Sequence, residues 1–156
     1  MNKKLKVFTD EAQKVIDQAE EIARRWKHEQ VGTEAFLVSL LSTYTAKPSR
    51  AERVLRDLGI SPARVVFEIC LLVQAGETPT DAGDVPHTPR VKKVIEYAID
   101  EAKDHHLDQD VGVEYLLLGL LREQDGVAGQ VLMNLNLRLE AIREQILCLD
   151  DEDRES

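Results

Sequence analysis

The chain has 156 residues, of which 43% are apolar and 31% charged, and a formal net charge of −9. That length supports one compact core and falls short of two ordinary domains. No run reaches the roughly 18 uninterrupted apolar residues of a membrane helix, and Met1–Lys6 carries charge with no apolar run behind it, so a soluble, unsecreted, cytoplasmic and monomeric protein is expected.

Charge is unevenly shared. Residues 1–75 carry net +2 and residues 76–156 net −11, so a phosphate backbone would meet repulsion over most of the surface, which argues against nucleic acid as a partner. Cys70 and Cys148 each sit in an apolar run and read as small core hydrophobes; neither belongs to a CxxC pair.

From the N-terminus, apolar residues Ala12, Val15, Ile16, Ala19, Ile22, Ala23 and Trp26 recur at three- and four-residue steps. They predict a helix opening at Thr9, with Asp10 and Glu11 favourable at its positive end. A second helix begins after Val31-Gly32 and carries Phe36, Leu37, Leu40 and Leu41 on its inner face. Shorter helices follow near 50–58 and 62–74, divided by Leu58-Gly59-Ile60-Ser61-Pro62. Residues 76–87 are rich in turn formers and read as an exposed linker.

The pattern then starts again. Thr88-Pro89 opens a helix as an N-cap followed by proline, and Lys93-Val94-Ile95, Ala98 and Ala102 fall on Lys14-Val15-Ile16, Ala19 and Ala23. After one inserted residue, Val111-Gly112-Val113-Glu114 meets Val31-Gly32-Thr33-Glu34, and Leu117, Leu120 and Leu121 meet Leu37, Leu40 and Leu41. From Thr9 to Leu41, 13 of 33 aligned positions are identical, against about two expected by chance, so the chain is a duplication. Val54-Leu55 aligns with Val131-Leu132, and Val65 and Ile69 with Ile142 and Ile146, which predicts short helices near 126–135 and 138–148. The expected architecture is all-α: a tandem duplication of a four-helix unit, about eight helices with pseudo-twofold symmetry. One domain spans 7–149, as repeat one 9–75, linker 76–87 and repeat two 88–149, followed by a frayed acidic tail, 150–156.

Phe8-Thr9, Val31-Gly32-Thr33-Glu34 and Leu58-Gly59-Ile60, repeated as Thr88-Pro89, Val111-Gly112-Val113-Glu114 and Leu116-Leu117-Leu118-Gly119, resemble the Clp N-terminal domain of the ClpA/ClpB/ClpC unfoldases, most of all its ClpC branch. The resemblance covers residues 7–149. It implies a non-catalytic module that receives adaptors and unfolded or tagged substrates for an ATP-driven unfoldase and its protease. No Gly-x-x-x-x-Gly-Lys-Ser/Thr loop occurs in the 156 residues, so ATP has no seat in them. The acidic ending favours a free-standing protein, and a regulator competing in trans for adaptors is the alternative reading.

Glu34 and Glu114 take the same place in the first turn of the second helix of each copy. A carboxylate there can offset the helix dipole, or it can pair with a guanidinium while free amides take a phosphate. The resemblance implies the latter, recognition of phosphorylated arginine once per repeat, with Thr9 and Thr88 matching the threonines that open each copy. Thr33 is a further candidate ligand residue, and Val113 in its place removes a hydroxyl cap from the second site; Ala35 and Tyr115 stand where the family has histidine, so the two sites are not expected to be equal.

A small metal protein or enzyme built on His105-His106 is the reading from another class. Adjacent helical residues point apart and share an ion poorly, so no metal or cofactor is expected. His28 and His87 stand alone, Trp26 closes the apolar stripe of the first helix, and no Gly-x-Ser-x-Gly turn presents a nucleophile.

Overall fold

The computed structural model describes residues 7–42, 47–79, 83–105 and 110–155. Eight helices occur among them: α1 (Asp10–Arg25), α2 (Thr33–Leu41), α3 (Arg50–Asp57), α4 (Pro62–Leu72), α5 (Pro89–His105), α6 (Val113–Arg122), α7 (Val127–Asn134) and α8 (Leu139–Glu155). Each repeat contributes four in the same order. Thr9 caps α1 by accepting from the Ala12 amide at 3.1 Å, and Thr88 caps α5 by accepting from the Val91 amide at 3.2 Å.

The central pair, α2 and α6, is apolar on nearly every side because helices of both repeats surround it. Phe36, Leu37, Leu40, Leu116, Leu117 and Leu120 lie at 1% exposure or less. The repeats interlock rather than abut. Helix α3 packs on α6 and α8 of the other repeat, and α7 packs on α2 and α4, so the buried side chains of both copies form one continuous cluster.

Two short parallel bridges complete the interlock. The Thr9 amide donates to the Val111 carbonyl and the Val111 amide to the Val7 carbonyl; in mirror fashion, Thr88 donates to Val31 and Val31 to Pro86. Each segment opening the first helix of one repeat is therefore pinned beside the segment opening the second helix of the other.

Two expectations are corrected and a third is refined. Cys70 and Cys148 are exposed: Val65 and Ile69 on α4, and Ile142, Ile146 and Leu149 on α8, take the inward stripe, and each cysteine sits one residue off it. The acidic tail is helical to Glu155, since α8 continues past residue 148. The segment 76–87 is mostly exposed where it is described, yet it is pinned: Val85 is buried, Gly76 donates to the Trp26 carbonyl and Thr78 to the Lys27 carbonyl.

Candidate functional site

Helices α2 and α6 open alike. Their N-caps, Gly32 and Gly112, have no side chain with which to cap the first amides of each helix. Glu34 and Glu114, at the second helical position, fold back over these glycines so closely that a Cβ on Gly32 or Gly112 would collide with the carboxylate. The repeated Gly-x-Glu fits this arrangement: the glycine leaves room for the carboxylate at the amide end of the helix.

The bridges make each cleft composite. Thr88 of repeat two lies beside Glu34, and Thr9 of repeat one lies beside Glu114. The hydroxyls of Thr9 and Thr88 already cap α1 and α5, so these residues form edges of the clefts and keep their capping bonds.

Thr33 has a different task from the one expected. Its buried hydroxyl accepts from the Ala128 amide at 3.3 Å in the first turn of α7, whose own N-cap, Gly126, has no side chain to offer. In the other half Ser49 occupies the place of Gly126 and caps α3 itself, accepting from the Glu52 amide at 3.1 Å, and buried Val113 stands at the position of Thr33. A Cβ on Gly126 would approach Thr33 Oγ1 to 2.6 Å, so hydroxyl and glycine go together. The exchange of Thr33 for Val113 follows from how α3 and α7 are capped, and removes no cap from α6.

The surroundings of the two glutamates differ sharply. Glu34 is half-buried between two clefts of about 730 and 720 Å³, which bring Lys27, His28 and Glu77 to one side and Arg90, Asp125 and Val127 to the other. Among the described residues no basic side chain forms an ion pair with it. Glu114 is 4% exposed and receives Arg50 of α3, whose Nε donates to its carboxylate while Nη1 and Nη2 donate to Asp153 and Asp150 of α8. The cleft left there is about 340 Å³.

Burial pushes the Glu114 carboxyl above the ordinary carboxylate range, with the attraction of Arg50 and a bond from its own backbone amide opposing. Burial alone would lower Arg50, but the pull of Glu114, Asp150 and Asp153 outweighs it and raises the guanidinium pKa. Tyr115 is raised by burial and by the nearby Glu114 and Asp150 charges.

Arg50 is the residue sequence reading missed. A faint signal existed: arginine at the first position of a helix opposes the macrodipole, which favours acids there.

A second surface feature lies on repeat one. Ile22, Trp26, Val38, Ser42 and Cys70 line an apolar groove of about 370 Å³ between α1, α2 and α4, so Trp26 both packs on the core and edges a groove. Repeat two has Glu101 and His105 where repeat one has Ile22 and Trp26. Glu101, 2% exposed, is held by Arg143 at 2.6 and 3.0 Å and by Arg122 at 3.5 Å. His105 Nδ1 lies 2.9 Å from the Glu101 carbonyl, and His106 falls outside the described residues. His28 Nε2 lies 2.7 Å from the Gln74 carbonyl, and burial lowers the pKa of His87.

Comparison with known proteins matches this architecture. The family model of the Clp repeat (R) N-terminal domain matches residues 7–135 and 87–152. The chain is 39% identical over 142 residues to the chaperone protein ClpB of Oceanobacillus iheyensis, covering 91% of this chain and 17% of that protein. It is 38% identical over 140 residues to the ATP-dependent Clp protease ATP-binding subunit ClpC of Staphylococcus aureus strain USA300, covering 90% and 16%. It therefore spans about a sixth of the length of these relatives. Among solved structures, the N-terminal domain of Hsp104 from Candida albicans superimposes with a TM-score of 0.73 at 19% identity, covering 92% of this chain and 91% of that one. The N-terminal domain of the caseinolytic protease associated chaperone ClpD from Arabidopsis thaliana gives 0.65 at 21%, covering 91% and 96%. With two interlocked copies of the unit and a family model matching nearly all of it, the chain belongs to the Clp repeat N-terminal domain family.

Proposed function

We propose that the chain is a non-catalytic protein-binding module that receives adaptors or substrates for a Clp unfoldase, and that the Glu34 cleft is where a modified side chain docks. The observation that carries this reading is Glu34 itself: a half-buried carboxylate at an uncapped helix N-terminus, without a basic ion-pair partner among the described residues. A ligand joining a cation to an anion suits such a place, the guanidinium meeting the carboxylate and the anion meeting helix amides and basic side chains. Lys27 and Arg90 around the clefts offer the positive charge, among Glu29, Glu77 and Asp125. Arginine phosphorylated on its guanidinium fits that description, and proteins carrying it are the proposed substrates.

Affinity at one small cleft is modest, and presentation of several copies on a ring would raise it by effective concentration. Isothermal titration with phosphoarginine and with arginine tests the reading. Heat saturating with phosphoarginine, at least tenfold weaker with arginine, and lost in Glu34→Gln is expected. Equal and negligible heats for both ligands would overturn it.

A further inference from the structure

We propose that Arg50 is a built-in guanidinium ligand of the second cleft, so that the chain presents one open carboxylate site, and that the cleft behind Arg50 accepts an unmodified arginine side chain rather than a phosphorylated one. This deepens the binding reading above and rests on it only for the role of the Glu34 cleft.

The argument starts from the duplication. Aligning Val54-Leu55 with Val131-Leu132 places Arg50 at the position of Val127. Both residues open a short helix of their own repeat, and both lie over the glutamate of the other: Val127 lines the cleft beside Glu34, and Arg50 lines the cleft beside Glu114. One fold position thus decides whether a cleft is open or filled. The filler is the functional group proposed for the incoming ligand, and it is seated by all three of its nitrogens.

The seat is specific to repeat two. Asp150 and Asp153 lie on the part of α8 that continues beyond the length of α4, which ends at Leu72, so repeat one has no helical counterpart to hold a guanidinium over Glu34. Arg53, one helical turn after Arg50, pairs with Glu152 at 3.4 Å and Asp153 at 3.7 Å, tying α3 to the same stretch. The acidic end of the chain is the clamp that keeps Arg50 in place.

Charge then sets what the vacated cleft would take. With Arg50 withdrawn, its charged lining is Asp110, Glu114, Asp150 and Asp153 against Arg154 alone. A bare guanidinium replaces the lost cation, whereas a phosphoryl group would enter a lining that is already net negative.

The test uses amide NMR of the whole chain titrated with methylguanidinium, in wild type, Arg50→Val and Arg50→Val/Glu114→Gln. Saturable shifts at Gly112, Glu114 and Tyr115 are expected in Arg50→Val, at least tenfold weaker in wild type and absent in the double variant. Phosphoarginine is expected to leave these three amides unmoved in every variant. Equal response of wild type and Arg50→Val, or no response in Arg50→Val, overturns the proposal, as does saturation by phosphoarginine at this cleft. Should Arg50→Val fail to fold, side-chain exchange in the wild type decides the seating: Arg50 Nε–H is expected to exchange at least tenfold more slowly than that of the exposed Arg25, and equal rates overturn it. These signals come from the Glu114 cleft without phosphoarginine, so failure of the Glu34 reading would leave them standing.

Discussion

Repeat one leaves its glutamate half-buried between open clefts, whereas repeat two buries the equivalent glutamate beneath an arginine from its sister. The backbone is the same in both: glycine N-cap, carboxylate folded over it, threonine of the other repeat at the edge. What differs is brought in by neighbouring helices, Val127 with Asp125 on one side and Arg50 with Asp150 and Asp153 on the other. Duplication preserved the frame and left the contents free to diverge. The apolar groove teaches the same lesson, since Ile22 and Trp26 leave a groove open where Glu101 and its two arginines close one.

The largest test of that comparison is Arg143→Ala, which leaves buried Glu101 with Arg122 alone. A loss of about 2 kcal/mol is expected in urea unfolding, below the full cost of stranding a buried charge because one arginine remains. The capping exchange is smaller: Thr33→Val strands the Ala128 amide and is expected to cost about 1 kcal/mol by the same measurement. Calorimetric unfolding at low protein concentration provides a check on the ranking.

The smallest effect concerns pH. Because burial raises Glu114 above its unfolded value, the native state binds that proton preferentially. The group's contribution favours folding in acid and is lost as pH rises from the ordinary carboxylate range through the folded value. Glu114→Gln removes this slope, so stability of the variant measured from about pH 4 to 7 is expected to fall less with rising pH than that of the wild type.

Much of the fold was legible because it is local. Three- and four-residue spacing placed the first helix, Thr9 and Thr88 marked two starts, breaks such as Gly59 to Pro62 divided the short helices, and self-similarity revealed the second copy. The end of α8 was not legible: Asp150, Asp151 and Asp153 are poor helix formers, and their helix is held by ion pairs from residues about a hundred positions earlier. Cys70 and Cys148 misled because apolar neighbours on both sides hide which face a single residue takes. At the candidate site, Glu34, Glu114 and the repeated glycines stood out in the comparison of copies. Arg50 did not, since its importance arises only when α3 of one repeat crosses α6 of the other. The capping role of Thr33 was misplaced for the same reason, its partner Ala128 lying in the opposite repeat.

The two crosswise bridges carry a last consequence. Because Thr88 edges the Glu34 cleft and Thr9 the Glu114 cleft, cutting the chain within 76–87 would yield two fragments, neither owning a whole cleft. The halves arose as copies and can no longer be inherited apart: a change in one is read out at the cleft of the other.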